Sequence, residues 1–235
     1  MIGPILLAVT WLLLRFEHRS LRAIGFDAPA QRLRELAIAF LIAGATVVVQ
    51  QFGLSVASGV MWTRNVALSP DLVATHLRFT VNSVLFEELI FRGYLLVQAM
   101  RWLGTRRAVW LSAAAFGVYH WFSFGAFGNP VLMVYLLLFT GAFGLMLATA
   151  FARTGSIAAP IGLHLGWNLA AYLLFSTGPL GAAVLVPANG AAKMHLTGLL
   201  NVLLSMGVPM LLVFGVIRAL AYLRPVPAAV AETAR

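Results

Sequence analysis

Long apolar runs alternate with short polar segments along the whole chain. Six runs are each long enough to cross a bilayer core of about 30 Å at about 1.5 Å per residue. They lie at 35–61, 80–100, 107–124, 130–152, 157–176 and 196–217. A shorter run, Ile2 to Leu14, is followed by arginines and not by a cleavage site, so we expect a retained first helix with its N-terminus outside. The pattern predicts an all-α, polytopic transmembrane helical bundle with six to seven crossings.

The basic residues between the runs predict how the chain is oriented. With seven crossings, twelve of them fall on one face and three on the other, which is the positive-inside asymmetry. We therefore expect a multi-pass protein of the bacterial inner membrane, with its C-terminus in the cytoplasm. The larger set is Arg15, Arg19, Arg22, Arg32, Arg34, Arg101, Arg106, Arg107, Arg153, Arg218, Arg224 and Arg235, and the smaller is Arg64, Arg78 and Lys193.

Composition supports a membrane protein without a separate soluble domain. Hydrophobic residues make up 61% of the chain and charged residues 10%, well outside the usual range of soluble domains. The net charge of +9 is therefore interpreted as an orientation signal and not as a nucleic-acid patch. The absence of cysteine excludes disulfides and thiolate catalysis. We expect a short N-terminal helix with a basic interfacial segment (1–34), one membrane-embedded core (35–224) and a cytoplasmic tail (225–235).

Three charges lie inside the apolar run "NSVLFEELIFRGYLLVQ". Ionisable groups at membrane depth are costly and usually mark function. Glu88 and Arg92 are four residues apart, in the order that favours a helical ion pair. Glu87 points about 100° away and is predicted to share a polar stripe with other residues at helical spacing. That leaves Glu87 for chemistry, the alternative being that both glutamates are structural partners of arginines on neighbouring helices. The stripe comprises Thr80, Ser83, Glu87, Tyr94 and Gln98.

Two later helices carry further polar groups, in "FGVYHWF" and "SIAAPIGLHLGWN". The first contains His120, and the second contains His164 and Asn168, which are four apart and share a helical face. Counted from the basic face, Glu87, His120 and His164 lie about 21, 21 and 16 Å deep. One shared cavity is therefore geometrically possible, and interhelical hydrogen bonding is the alternative role for the histidines.

The helix around His164 shows two more features of a site wall. Tyr172 lies one turn beyond Asn168, on the same face if the helix is regular. Pro160, four residues before His164, is expected to free a backbone carbonyl and open the helix. In the last run, Asn201 and Ser205 are interpreted as interhelical hydrogen-bonding groups only.

A carboxylate, two imidazoles and a carboxamide suit water activation and oxyanion stabilisation, which are the parts of a hydrolase. The sequence has neither H-E-x-x-H nor G-x-S-x-G. "EELIFR", "FGVYH" and "HLGWN" resemble, in order, the E-E-x-x-x-R, F-x-x-x-H and H-x-x-x-N motifs of the CPBP family. This is the CAAX-protease and bacteriocin-processing, or Abi, group, which includes the type II CAAX prenyl endopeptidases. The resemblance covers about Phe86 to Asn168, with "LRAIGF" as a weaker match upstream.

The resemblance implies an intramembrane endopeptidase that cuts a peptide bond near a membrane-bound or lipid-modified segment. Glu87, with His120, would activate the attacking water. His164 and Asn168 would stabilise the tetrahedral oxyanion. Glu88 and Arg92 would hold the helix and its neighbours. The implied catalytic residues are Glu87, His120, His164 and Asn168, and the implied supporting residues are Glu88 and Arg92.

A metal-free glutamic mechanism is favoured, because second-shell carboxylates that zinc ligands need are scarce here. The alternative is a zinc site formed by Glu87, His120 and His164. Expected partners are a membrane-associated peptide or protein substrate and the lipid bilayer, with no nucleic acid. Two other functions fit the same fold: a non-catalytic immunity or scaffolding protein and, with less support, a proton-coupled transporter that uses the two glutamates.

Overall fold

The computed structural model describes residues 2–191 and 196–223. It is 77% helical, which confirms the all-α class. The α-helices of the described part are Ile2–Phe16 (α1), Pro29–Ser58 (α2), Pro70–Arg92 (α3), Tyr94–Leu103 (α4), Thr105–Ser123 (α5), Pro130–Thr154 (α6), Ala158–Asn168 (α7), Gly198–Val202 (α8) and Val208–Ala221 (α9). Two short strands, Trp62–Arg64 (β1) and Leu185–Pro187 (β2), pair antiparallel. Lys193, Arg224, Arg235 and the expected tail 225–235 lie outside the described residues.

Three helical segments in the described ranges are long and apolar enough to cross a membrane. They are Leu21–Ser58, Pro130–Thr154 and Gly198–Ala221. Helix α1 is also apolar but has only 15 residues. An integral membrane protein is thereby supported, while the six to seven crossings and their orientation stay predictions.

The chain divides into two compact units. Of the described residues, the first contains 2–36, Leu85–Ile161 and 213–223. The second contains Ala37–Val84, 162–191 and 196–212. The expected segments 1–34, 35–224 and 225–235 stay a prediction, since they describe membrane placement and not compactness.

In the first unit, α5 and α6 approach each other closely through glycines. A Cβ added at Gly117 would lie 2.8 Å from the Leu137 carbonyl oxygen. One added at Gly144 would lie 3.0 Å from Phe116 Cβ and 3.2 Å from Ala113 Cα. Small residues at such positions let two helix backbones pack tightly in a membrane. This contact sets the position of the helix that carries His120.

The "LRAIGF" segment is packed into the first unit. Leu21–Ile24 form a 3₁₀ turn that ends at Gly25, whose φ of +89° favours glycine. A Cβ at Gly25 would lie 2.4 Å from the Ser156 side chain, and the Ile157 N–H donates to the Ile24 carbonyl at 3.0 Å. The segment expected to lie on the membrane interface therefore also packs against the connection between α6 and α7 and is hydrogen-bonded to it.

Arg32 joins the start of α2 to the end of α6. Its guanidinium lies 2.8 Å from the Asp27 carboxylate and 2.9 Å from that of Glu35. It also donates to the carbonyl of Thr154 at 3.0 Å. Carbonyls in the last turn of a helix have no partner within the helix, so Arg32 satisfies one of them.

In the second unit, α2 and α7 cross at a glycine. A Cβ at Gly166 would lie 2.2 Å from the Phe40 carbonyl oxygen, so this position accepts no side chain without movement. Further along α2, the buried Gln50 donates to the Leu204 carbonyl at 3.0 Å. Leu204 lies in a π-helical turn, Leu203–Gly207, where the regular backbone bonding is interrupted.

The two strands form a small polar-edged cap on the second unit. The Trp62 ring lies edge-on to Phe175 with centroids 5.0 Å apart. Beside β1, the buried Asn65 side chain donates to the Ala183 carbonyl at 2.8 Å. These contacts hold the loop after α7 against the connection between α2 and α3.

Candidate active site

Glu88 and Arg92 form the ion pair that their spacing predicts. Arg92 Nη1 lies 3.2 Å from Glu88 Oε1, and both side chains are fully buried. Because both charges are removed from solvent, each depends on the other for compensation. The ion pair predicted from the spacing is thus present, while the supporting role of its two residues stays a prediction.

Arg92 also connects α3 to α5 and α6. Its Nη2 donates to the Gly144 carbonyl on α6 at 3.1 Å. Its guanidinium carbon lies 4.3 Å from the centroid of the Phe116 ring on α5, within cation–π range. Phe116 is the first residue of the motif that ends at His120. One buried cation thus fixes the helix of the glutamates against the helix of the first histidine.

His120 is oriented by its own helix. Its Nδ1 lies 2.7 Å from the Phe116 carbonyl oxygen. Since a carbonyl oxygen only accepts, this bond assigns the proton to Nδ1, and in the neutral ring Nε2 is then the acceptor. The ring is also enclosed by aromatic neighbours, with centroid distances of 4.6 Å to Phe116 and 5.4 Å to Tyr119.

Glu87 is 8% exposed and is flanked by aromatic contacts between α3 and α5. Phe86, the residue before it, lies 6.2 Å from Tyr119 between ring centroids. Phe91, one turn later, lies 5.5 Å from the same ring. Tyr119 is the neighbour of His120, so α3 and α5 are held together on both sides of the predicted base.

The helix is interrupted at Gly93, where α3 ends and α4 begins. Gly93 has φ −84° and ψ −134°, and a Cβ there would lie 2.1 Å from the Leu89 carbonyl oxygen. The prediction that Tyr94 and Gln98 continue the polar stripe of Glu87 is therefore wrong. The depth estimate for Glu87 assumed a continuous α-helix through this position, and the break at Gly93 contradicts that assumption, so the depth itself stays a prediction.

Tyr94 and Gln98 instead bind Glu17, which follows α1. The Tyr94 hydroxyl donates at 2.5 Å, the Gln98 amide also donates, and Arg101 lies 2.9 Å away. Burial alone would raise the pKa of Glu17. The hydrogen bonds and the nearby Arg101 and Arg19 outweigh burial, so this pKa lies below its usual value. The cluster joins α1 to α4.

His164 and Asn168 lie on α7 in the second unit, whereas the residues of the other two motifs belong to the first. Asn168 is buried and His164 is half-buried, and the two share a helical face at a spacing of four. Gly166 lies between them at the close contact with α2. That contact fixes where α7 lies along α2 and which face it turns toward α2, and therefore the positions of His164 and Asn168.

Two expectations about this helix are corrected. Pro160 does not open it, because α7 begins at Ala158 and an N–H in the first turn has no partner within the helix. The regular spacing also ends at Asn168, since Leu169–Leu174 form a π-helical turn. Tyr172 therefore does not follow on the α-helical face of His164. Single π turns are frequent at functional sites.

Comparison with protein families matches residues 69–170 to the model described as Type II CAAX prenyl endopeptidase Rce1-like. The predicted family resemblance is confirmed. The Rce1-like segment contains all three motifs, and the family implies a protease of the membrane. No curated protein and no solved structure gives a match.

Some polar residues outside the Rce1-like segment were missed or incompletely interpreted from sequence. Glu17 and Arg32 bind partners far along the chain, and local spacing gives no signal for them. Gln50 is a buried amide in an apolar run, and its polarity in that setting was the available signal. Ser205 donates to Asn201 at 3.0 Å on the same chain segment, a bond within the pair that the interhelical interpretation did not include.

The described part of the chain contains no group of three or more histidine, aspartate or glutamate side chains arranged to hold a metal ion. The three residues named for zinc, Glu87, His120 and His164, are not such a group in this structure. The preference for metal-free chemistry stays a prediction.

Proposed function

We propose that this protein is an intramembrane endopeptidase that hydrolyses a peptide bond near a membrane-bound or lipid-modified segment. The observation that carries the proposal is the Rce1-like match over residues 69–170, which includes the three polar motifs in order. The Arg92 contacts support it, because they bring together the helices of the first two motifs. The substrate is a membrane-associated peptide or protein.

In the proposed reaction, Glu87 takes a proton from a water molecule, and the resulting hydroxide attacks the carbonyl carbon of the scissile bond. His120 assists, with Nε2 as the acceptor nitrogen of the neutral ring while Nδ1 stays bonded to its helix. The tetrahedral oxyanion is stabilised by donors from His164 and Asn168. The proton held by Glu87 then passes to the leaving amine as the C–N bond breaks.

Glu88 and Arg92 take no part in the proton transfer in this scheme. Their buried ion pair holds α3 in place, and the Phe116 contact positions the helix of His120. They are positioning residues. We further propose six to seven crossings with a cytoplasmic C-terminus in a bacterial inner membrane. The three apolar segments support the placement in a membrane, and the asymmetry of the basic residues supports the orientation.

The test is mass spectrometry of peptides released from a membrane proteome by the wild-type protein and by Glu87→Ala. Peptides that appear only with the wild type identify the cleavage sites. Asp71→Asn is the matched control, since Asp71 is an exposed carboxylate on the same helix and should leave cleavage unchanged. Equal release by Glu87→Gln and wild type would contradict the mechanism.

The metal-free chemistry has its own test. Purified protein should keep its peptidase activity in the presence of a strong zinc chelator, and elemental analysis should find less than one zinc per ten chains. Loss of activity on chelation, with recovery on adding zinc, would replace this mechanism with the zinc alternative.

A further inference from the structure

His76 and Thr80 are two fully buried polar residues on α3 that the proposed mechanism does not use. Their side chains are 1% and 0% exposed. Within residues 2–191 and 196–223, neither His76 Nε2 nor Thr80 Oγ1 has a hydrogen-bond partner. They are four residues apart, so they are neighbours on one helical face.

The Thr80 hydroxyl differs from those of three other helical threonines in this protein. Thr46, Thr140 and Thr154 each donate to the carbonyl four residues earlier, at 2.8, 2.6 and 2.9 Å. This bond satisfies a buried hydroxyl without outside help. The Thr80 hydroxyl does not make this bond. A second buried polar atom, on His76, lies one turn away.

We propose that His76 Nε2 and Thr80 Oγ1 bind a buried water molecule between them. Buried polar atoms are nearly always satisfied, and ordered water commonly does so where protein atoms do not. Side chains one turn apart have Cβ atoms about 5–6 Å apart, a span that one water with a hydrogen bond to each side can bridge. The imidazole and the hydroxyl each supply one of the two to four partners that a buried water needs.

The site lies on the helix that carries the proposed base. Seven residues, or about two turns, separate Thr80 from Glu87, and the half-buried Ser83 lies between them on nearly the same face. His76, Thr80, Ser83 and Glu87 thus form a polar line on α3. Resting on the proposed function, we assign this line as the route by which the water consumed in hydrolysis reaches Glu87.

The experiment for the water site is a double-mutant cycle on thermal unfolding in detergent, with Thr80→Val, His76→Phe and the pair. Valine keeps the shape of threonine and removes only the hydroxyl. If a water is bound, Thr80→Val lowers the midpoint by about 2–4 °C and has no further effect once His76→Phe is present. If the hydroxyl is simply unsatisfied, Thr80→Val leaves the midpoint unchanged or raises it, because a buried orphan group has been removed. That result overturns the proposal.

Thr140→Val is the matched control. Its hydroxyl is bonded within its own helix, so its effect should add independently to that of His76→Phe. Coupling of the same size for both threonines would mean that the cycle detects a general effect of His76→Phe, and the water site would be rejected.

Peptidase kinetics test the route to Glu87. Thr80→Val should lower kcat several-fold with KM unchanged, and Thr80→Ser, which restores a hydroxyl, should recover kcat. An unchanged kcat together with a coupled unfolding cycle overturns the route and leaves the water site. A wild-type protein with no peptidase activity overturns the proposed function, and the unfolding cycle still decides the water site.

Discussion

Removing one partner of the buried ion pair between Glu88 and Arg92 should destabilise the first unit strongly. Arg92→Met leaves the Glu88 carboxylate without its compensating charge, and Glu88→Met does the same to the guanidinium. Methionine approximates the length of both side chains without charge. The double variant replaces the pair by two apolar groups of similar size, which restores electrical balance inside the unit.

The magnitude follows from the burial of both groups. Breaking a buried pair by removing one partner costs about 3–5 kcal/mol, while replacing both partners with apolar residues is often close to neutral. The double variant also loses the Arg92 hydrogen bond to Gly144, which is worth about 1 kcal/mol. We therefore expect each single variant to lose about 3–5 kcal/mol and the double variant to lose roughly 1 kcal/mol.

The assay is the thermal midpoint of the four proteins in one detergent at neutral pH. At about 2–4 °C per kcal/mol, each single variant should fall by on the order of 10 °C and the double variant by a few degrees. The exposed pair of Glu17 and Arg101, with side chains 28% and 41% exposed, is the control and should show coupling below about 1 kcal/mol. Single variants within 2 °C of the wild type, or a double variant equal to the sum of the singles, would refute the reasoning.

Gly166→Ala should unfold the second unit or lower its midpoint by several degrees, because the new Cβ would meet the Phe40 carbonyl oxygen at 2.2 Å. Gly215→Ala, where a Cβ meets nothing within 4 Å, is the control and should be neutral or stabilising by about 0.5–1 kcal/mol; equal effects would contradict the close contact. Glu17→Gln should change the acid sensitivity of the fold, since the lowered pKa of Glu17 gives stability above its usual value of about 4.3 that is lost as the pH falls through the folded value. The wild-type midpoint should therefore fall more than that of Glu17→Gln between pH 6 and pH 3, and parallel curves would show that Glu17 contributes nothing by ionisation.

The parts of the site that follow from sequence are those set by local spacing. Glu88 and Arg92 are four residues apart on one helix, so their ion pair follows from helical geometry, and the structure contains it. The motifs likewise predicted the family resemblance that the match over residues 69–170 confirms. The catalytic roles of Glu87, His120, His164 and Asn168 stay predictions, because they depend on a bound substrate and on chemistry.

The features that sequence did not predict depend on single residues or distant partners. The apolar pattern continues through Gly93, so nothing in the periodicity marks the end of α3. The π-helical turn after Asn168 contains more residues per turn than an α-helix, and nothing in the composition of the segment marks this change. Glu17 finds its partners 77 and 81 residues away, a pairing that only the folded chain reveals.

The contacts of Arg32 set an order of events during synthesis. Its carboxylate partners lie within five residues, whereas its third partner, the Thr154 carbonyl, lies 122 residues further along. At about 5–20 residues per second, that carbonyl is made roughly 6 to 24 s after Arg32. During this interval Asp27 and Glu35 can hold the guanidinium in place at the start of α2. Arg32, at the start of α2, is thus already held by two carboxylates when α6 is synthesised and its contact with the Thr154 carbonyl can form.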